Sequence, residues 1–280
     1  MLPILDDHSH LSPLGRGVEA VREFQRAGGT HLIVSHMPYG LEPIRNKDDW
    51  LREFGITCNL IEEARRKTEV SVFCVVGPYP VELIKLSDQL GLERATQLMK
   101  EGVIAASKLV EEQKAIGIGE VGRPHFSVEA TVWERSNEIL RFCMETAKDI
   151  DCPIVLHTEA ANERNLKEFS QMASEAGMRP ERVIKHYCGR IDPGWETGDL
   201  ALSVLATMEN VTSAIRQELD FMMESDYLDD IDRPGAVLSS RTVPRRTKQL
   251  FQKGIITEEL WHRIHVERPR ISYGIDTESR

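Results

Sequence analysis

Short runs rich in valine and isoleucine alternate along the chain with longer stretches whose apolar residues recur at helical spacing. That is the pattern of parallel strands joined by crossover helices rather than of a β-sandwich. ILDDHSHL leads into GVEAVREFQRAGG, a helix stopped by Gly28 and Gly29. HLIVSHMPY, VSVFCVVGPYP, AIGIGEVGRPH, PIVLHTEA, RVIKHYCG, LALSVLAT and DFMMESDY bring the strand candidates to eight. The pattern predicts an α/β protein with a TIM-type (β/α)8 barrel. IDPGWETGD is too short and turn-rich for a full helix, so the sixth helix is expected to be degenerate. Residues 81–114 should hold a helix pair broken near Gly91. Two closing helices divided at Gly254 should pack through Trp261, Ile264 and Val266. With no repeat, low-complexity tract or linker, residues 1–280 read as a single barrel domain.

Composition narrows the class. Hydrophobic residues at 41% and charged residues at 29% describe a soluble globular chain with enough apolar side chains for a large core, and exclude disorder. A net charge of −10 argues against a broad electrostatic grip on nucleic acid, yet leaves room for a local basic rim around an acidic pocket. Five scattered cysteines without a CxxC pair fit free thiols in a reducing compartment. No segment approaches the ~20 apolar residues of a membrane span, so the expected location is cytoplasmic, without a membrane partner. The oligomeric state stays open.

Residues with unusual chemistry cluster at the C-terminal ends of the strand candidates, where barrel enzymes assemble their sites. His8 and His10, two apart on strand one, face the same side. Glu120, His157, His186 and Asp226 end strands four, five, six and eight. Four imidazoles and two carboxylates exceed the needs of one tetrahedral ion and suit a pair of zinc, manganese, nickel or iron ions, magnesium being admissible. Two divalent ions ~3.5–4 Å apart can share a hydroxide nucleophile and polarise a carbonyl or phosphoryl oxygen, which points to hydrolysis. Strand phase favours Asp226 over Asp229, Asp230 and Asp232, which read as a solvated acidic loop.

These residues resemble the TatD family of metal-dependent hydrolases, within the amidohydrolase superfamily, and look most like an archaeal-type branch of it. The resemblance spans nearly the whole chain. It rests on Asp6-Asp7-His8-Ser9-His10, Gly117-Ile118-Gly119-Glu120-Val121-Gly122, Pro153-Ile154-Val155-Leu156-His157, His186 before Cys188-Gly189, and Glu224-Ser225-Asp226. The terminal HVERPRISYGI is similar to the family's closing helix. The resemblance implies that His8, His10, Glu120 and Asp226 bind one metal and Glu120, His157 and His186 the other. Glu120 would bridge them and Asp226 would double as proton acceptor. Gly122-Arg123-Pro124-His125 and Tyr227 depart from the better-known bacterial members at substrate-side positions. Glu120 separates the chain from amidohydrolases bridged by a carboxylated lysine, and nothing near Asp226 supplies the HxD or DxH of the polymerase and histidinol phosphatase superfamily.

Asp6 should point into the barrel and orient a ligand imidazole, or else bond to backbone. His36, Arg123 and His125 are expected as a positive arc around the metals, with arginine suited to bidentate capture of phosphate or carboxylate. Lys185 should face a helix in a salt bridge, and Trp195 and Glu196 should pack or form a wall. The expected activity is TatD-type hydrolysis of a phosphodiester, deoxyribonuclease-like, or of a related ester. The partner would be a small-molecule phosphoester or ester, or a single-stranded nucleic acid end. Lactone, amide or phosphotriester hydrolysis is the alternative, and a non-catalytic metal-binding scaffold a third reading.

Overall fold

The structure, a computed structural model, describes residues 2–278. Parallel strands β1 (Leu5–His10), β2 (His31–Ser35), β3 (Ser71–Val76), β4 (Gly117–Gly122), β5 (Ile154–His157), β6 (Val183–Cys188), β7 (Ala201–Leu205) and β8 (Phe221–Glu224) each hydrogen-bond to the next. The eighth strand resumes after Ser225 and Asp226 as β9 (Tyr227–Leu228). β9 pairs with β1, so the sheet curls back on its first strand as a TIM-type barrel. The Asp226 amide donates to the His8 carbonyl at 3.0 Å on this seam.

Helices α1 (Val18–Ala27), α2 (Lys47–Lys67), α3 (Glu82–Leu90), α4 (Leu92–Glu111), α5 (Ala130–Asp149), α6 (Glu163–Glu175) and α7 (Met208–Arg216) fill the crossovers. Gly91, in a positive-φ conformation, divides α3 from α4 as expected. Between β6 and β7 there is no helix. Trp195 packs on the core there and Glu196 pairs with Lys167. Every β1 position is buried, because helices cover the sheet outside and side chains fill it inside. Leu5, Ile33, Val75, Val155, Ile184, Ala201 and Met222 form the inner plug. Residues of the other phase, such as Val34, Ile118, Leu156 and Met223, join the outer core.

After β9, α8 (Thr242–Gln252), α9 (Glu258–His262), a π-helical turn (Arg263–Glu267) and α10 (Arg268–Tyr273) close the fold, with Trp261, Ile264 and Val266 buried. His265 ties this end to the barrel. Its Nδ1 accepts the Leu5 amide at 3.2 Å, so Nε2 must carry the proton that meets Thr247 Oγ1 at 3.1 Å. A second proton would oppose the amide, and burial holds the imidazole down at about 3.

The unfolded chain binds that proton below about pH 6.5 and the folded chain does not, so stability falls as pH drops from that value toward 3. Between about pH 7.5 and pH 5, urea unfolding should therefore show a loss smaller by roughly 2 kcal/mol in His265→Gln than in the parent.

Candidate metal centre

Strand alternation explains which side chains meet at the barrel mouth. A register shift between Asp6 and Ser9 lets β1 turn His8 and His10 into the mouth. On β2, Ser35 faces them. Its carbonyl lies 3.0 Å from His10 Nδ1 and its hydroxyl 3.1 Å from His8 Nδ1. A carbonyl can only accept, so neutral His10 carries its proton on Nδ1 and aims an Nε2 lone pair at the centre.

Glu120 sits between Gly119 and Gly122, which let β4 approach β5 closely. A Cβ on Gly119 would lie 2.7 Å from Val155 Cβ, and Gly122, at φ 137°, would collide with the His157 carbonyl. Glu120 is thereby brought among four imidazoles. Its Oε1 lies 2.8 Å from His8 Nε2, 3.1 Å from His186 Nε2 and 3.9 Å from His10 Nε2. Its Oε2 lies 3.5 Å from His157 Nδ1. Asp226, in the left-handed region at φ 45°, turns Oδ1 to within 3.3 Å of His10 Nε2 and 3.8 Å of His8 Nε2. His8 Nε2 and His10 Nε2 are 3.3 Å apart, and the His8 and His186 rings stack at 4.1 Å. All six residues expected at the metals therefore meet in one cluster. His8, His10 and Asp226 form one group able to hold a metal ion, and His8, Glu120 and His186 another.

Lone pairs converging on carboxylates repel unless a cation lies between them. Burial alone would raise the Glu120 carboxyl, but the charges of His186 and His157 and the bonds from His157 and His8 hold it well below the usual range. Burial alone would lower His10, but Asp226 and Glu120 raise it to about 9. A proton is the smallest cation the cluster can accept. No imidazole aims a well-directed hydrogen bond at buried Glu120 Oε1 despite this proximity, and a divalent cation would satisfy it.

Asp6 follows the second of its two expected roles and bonds to backbone: its carboxylate accepts the amides of Ser225 at 2.9 Å and His8 at 3.4 Å, so it serves the closing seam. Other expectations change. The carboxylate inside the barrel is Asp7, because the shifted register reverses the phase. Asp7 accepts from Ser203 at 2.8 Å, and burial raises it to about 7. His36 is not on the rim. Alternation turns it away from Ser35's side into a buried site where Nδ1 meets Thr57 Oγ1 at 2.9 Å, and burial lowers it to about 3. Arg123 is fully buried rather than free to grip substrate. It turns outward past Gly122 between Trp133 and Phe169, bonding Asn137, Glu159 and Glu168 at 2.8–3.1 Å. His125 does reach the site, its Nδ1 2.9 Å from His157 Nε2. Lys185 is buried and donates to the His186 carbonyl in place of the expected salt bridge. Asp229 is not solvated. It accepts the amides of Ser12, Arg16 and Gly17 and the Tyr227 hydroxyl, fixing the loop after His10 to the strand that follows Asp226.

A cavity of about 340 Å³ opens over the cluster. Glu120, His157, His186, His10 and Asp226 form its floor. Met37, Pro38, Leu228 and Val237 give it an apolar wall, and Lys85 and Arg233 bring positive charge. Tyr79 also lines it, its hydroxyl 3.2 Å from His157 Nε2. Of these, sequence reasoning missed Tyr79, Lys85, Arg233 and Ser35. Only Ser35, two residues beyond Ile33 on the inward phase, had a readable signal.

A sequence model of the TatD-related DNase family matches residues 5–273. An uncharacterized protein of Methanocaldococcus jannaschii is 41% identical over 281 residues, covering 99% of this chain and 98% of its own length. Among solved structures, a TatD homolog from Escherichia coli K12 aligns at TM-score 0.63 and 16% identity, covering 97% of this chain and 98% of that one. A TatD-like protein from Archaeoglobus fulgidus aligns at 0.58 and 15%, covering 95% and 97%. A mutant PTE-like lactonase of Deinococcus radiodurans aligns at 0.64 and 15%, covering 98% and 96%. At these identities the structures are similar to this chain in fold.

The burial of Arg123 makes a stability prediction. Arg123→Leu removes its charge-assisted bonds and its stacking on Trp133 and Phe169 but leaves Glu159 and Glu168 within reach of water, so it should cost about 1–3 kcal/mol in denaturant unfolding. Arg123→Lys should recover only part of it, lacking the planar fork held between two aromatic faces.

Proposed function

Because the chain belongs to the TatD-related DNase family, and is thus a metal-dependent hydrolase, we propose that it cleaves phosphodiester bonds at the end of a single-stranded nucleic acid or in a smaller phosphoester. In this reading His8, His10, Glu120 and Asp226 hold one divalent metal ion and Glu120, His157 and His186 a second. The single observation that carries it is the buried Glu120 carboxylate standing between the two sets, 2.8 Å from His8 Nε2 on one side and 3.1 Å and 3.5 Å from His186 Nε2 and His157 Nδ1 on the other. Zinc, manganese, nickel or iron suits this nitrogen-rich set better than magnesium. Held there, two such ions would supply an activated water and polarise the oxygen of the scissile group.

The chain's own residues do the rest. Of the two carboxylates on the cavity floor Asp226 is the more open, 12% exposed against 3% for Glu120, so Asp226 is placed to accept the proton of the attacking water. Asp229 and the Asp226-to-His8 backbone bond keep that carboxylate in place. Lys85 and Arg233 are held only by surface pairs, with Glu82 at 2.6 Å and Asp230 at 2.7 Å. Such pairs are weak enough to be exchanged for a substrate phosphate. Exposed Phe126 and Tyr187 stand beside His125 and His186, where bases can stack. A cavity of about 340 Å³ admits one unit of a strand, which favours an end over an internal position.

The apolar wall supports a second reading, hydrolysis of a lactone or phosphotriester, in line with the lactonase of similar fold. The two readings separate on substrates. Purified protein reconstituted with metal should hold about two ions per chain, counted by elemental analysis, as a bridging carboxylate implies. It should cleave a single-stranded oligonucleotide and an aryl phosphodiester, and Asp226→Asn should lose at least ~100-fold in kcat, within the range for removing a general base. Lys85→Ala combined with Arg233→Ala should raise KM about 10-fold with kcat little changed, since it removes ground-state binding. No metal after reconstitution would falsify the site, and turnover of lactones without phosphodiesters would overturn the substrate.

A further inference from the structure

Below the imidazole cluster lies a buried carboxyl pair to which the reading above assigns no task. Glu224 ends β8 and Asp7 lies on β1, and both are fully buried. The Ser203 hydroxyl of β7 meets Asp7 Oδ1 on one side and Glu224 Oε2 on the other. A hydroxyl has one proton to give, so it donates to one carboxyl and accepts from the other. Both oxygens are thereby held in place.

The other Glu224 oxygen, Oε1, accepts the Tyr187 amide at 2.7 Å. Tyr187 follows His186 directly and occupies the left-handed region at φ 56°, so the turn that presents the imidazole also grips the carboxyl group. Oε1 lies 3.7 Å from His186 Nδ1. That nitrogen is buried without a hydrogen-bond partner, while Nε2 of the same ring faces Glu120 at 3.1 Å.

We propose that Glu224 is a positioning residue for His186: it holds the ring with its proton on Nδ1, leaving the Nε2 lone pair for a metal ion. This rests on the reading of His186 as a ligand. A ligand imidazole needs an acceptor behind it to fix its tautomer and raise the basicity of the bound nitrogen. Glu224 is the group placed to do this. At 3.7 Å the pair stands a small ring movement from hydrogen-bond length, and Glu224 Oε1 is the acceptor that Nδ1 faces with or without an ion. Asp7 and Ser203 set the height of Glu224 in the barrel, which links β1, β7 and β8 to a ligand on β6.

Nitrogen-15 spectra of histidine-labelled protein without metal, at a pH where His186 is neutral, read the tautomer directly. The parent should show His186 with its proton on Nδ1, and Glu224→Met, which keeps the bulk and removes the acceptor, should show a mixture. Zinc titration against a chelator should find one of the two equivalents weakened about 10–100-fold in Glu224→Met, with Glu224→Gln restoring most of it. A parent His186 protonated on Nε2 would overturn the proposal, as would a folded Glu224→Met that binds both equivalents with parental affinity. Should Glu224→Met fail to fold, Ser203→Ala loosens the same carboxyl and the parental tautomer still decides. A parent protein that takes up no zinc while showing the Nδ1 proton sinks the metal reading and leaves the positioning role standing.

Discussion

The mouth of the barrel depends on one buried carboxylate. Glu120 lies out of water among four imidazoles, and isolated burial of such a charge costs several kcal/mol. What offsets that cost is positive charge, from protons when the cluster stands alone and from metal ions when it is loaded. The same demand accounts for the glycines around Glu120, which bring β4 against β5, and for the stacked rings of His8 and His186. Three of its imidazoles are backed from outside, His10 by the Ser35 carbonyl, His8 by the Ser35 hydroxyl and His157 by His125.

The closing seam is the second constraint. β1 supplies His8 and His10, and the eighth strand supplies Asp226, so the seam between first and last strands runs through the site. Three carboxylates hold it: Asp6 on the Ser225 amide, Asp229 on the loop after His10, and Asp7 beside Glu224 below. The C-terminal helices reinforce it through His265, which meets the first strand at Leu5. Ligand geometry and barrel closure are therefore the same problem here. A chain that fails to close its sheet cannot gather its imidazoles.

On the substrate side the structure redistributes charge. Arg123 spends its guanidinium on Glu159 and Glu168, while Lys85 and Arg233, from α3 and the loop after β9, carry positive charge to the cavity. An acidic chain thus presents a local basic rim over its candidate metal ligands. His125 alone among the expected rim residues reaches the site, through His157.

Much of this was readable along the chain. Eight apolar runs, the break at Gly91, the missing sixth helix and the six candidate ligands at strand ends all follow from short-range pattern, because strand, turn and helix periodicities are local properties. What could not be read was phase and reach. A one-residue register shift in β1 exchanged Asp6 for Asp7 inside the barrel, and strict alternation in β2 gave the site Ser35 instead of His36. A long side chain such as Arg123 goes where aromatic faces and carboxylates from α5, α6 and the loop after β5 converge, and those partners lie up to 46 residues away. The sequence by itself determined the strands and the kinds of ligand at their ends. Only the tertiary structure decided which neighbours pair, because burial and hydrogen bonding are settled between segments that local periodicity cannot relate.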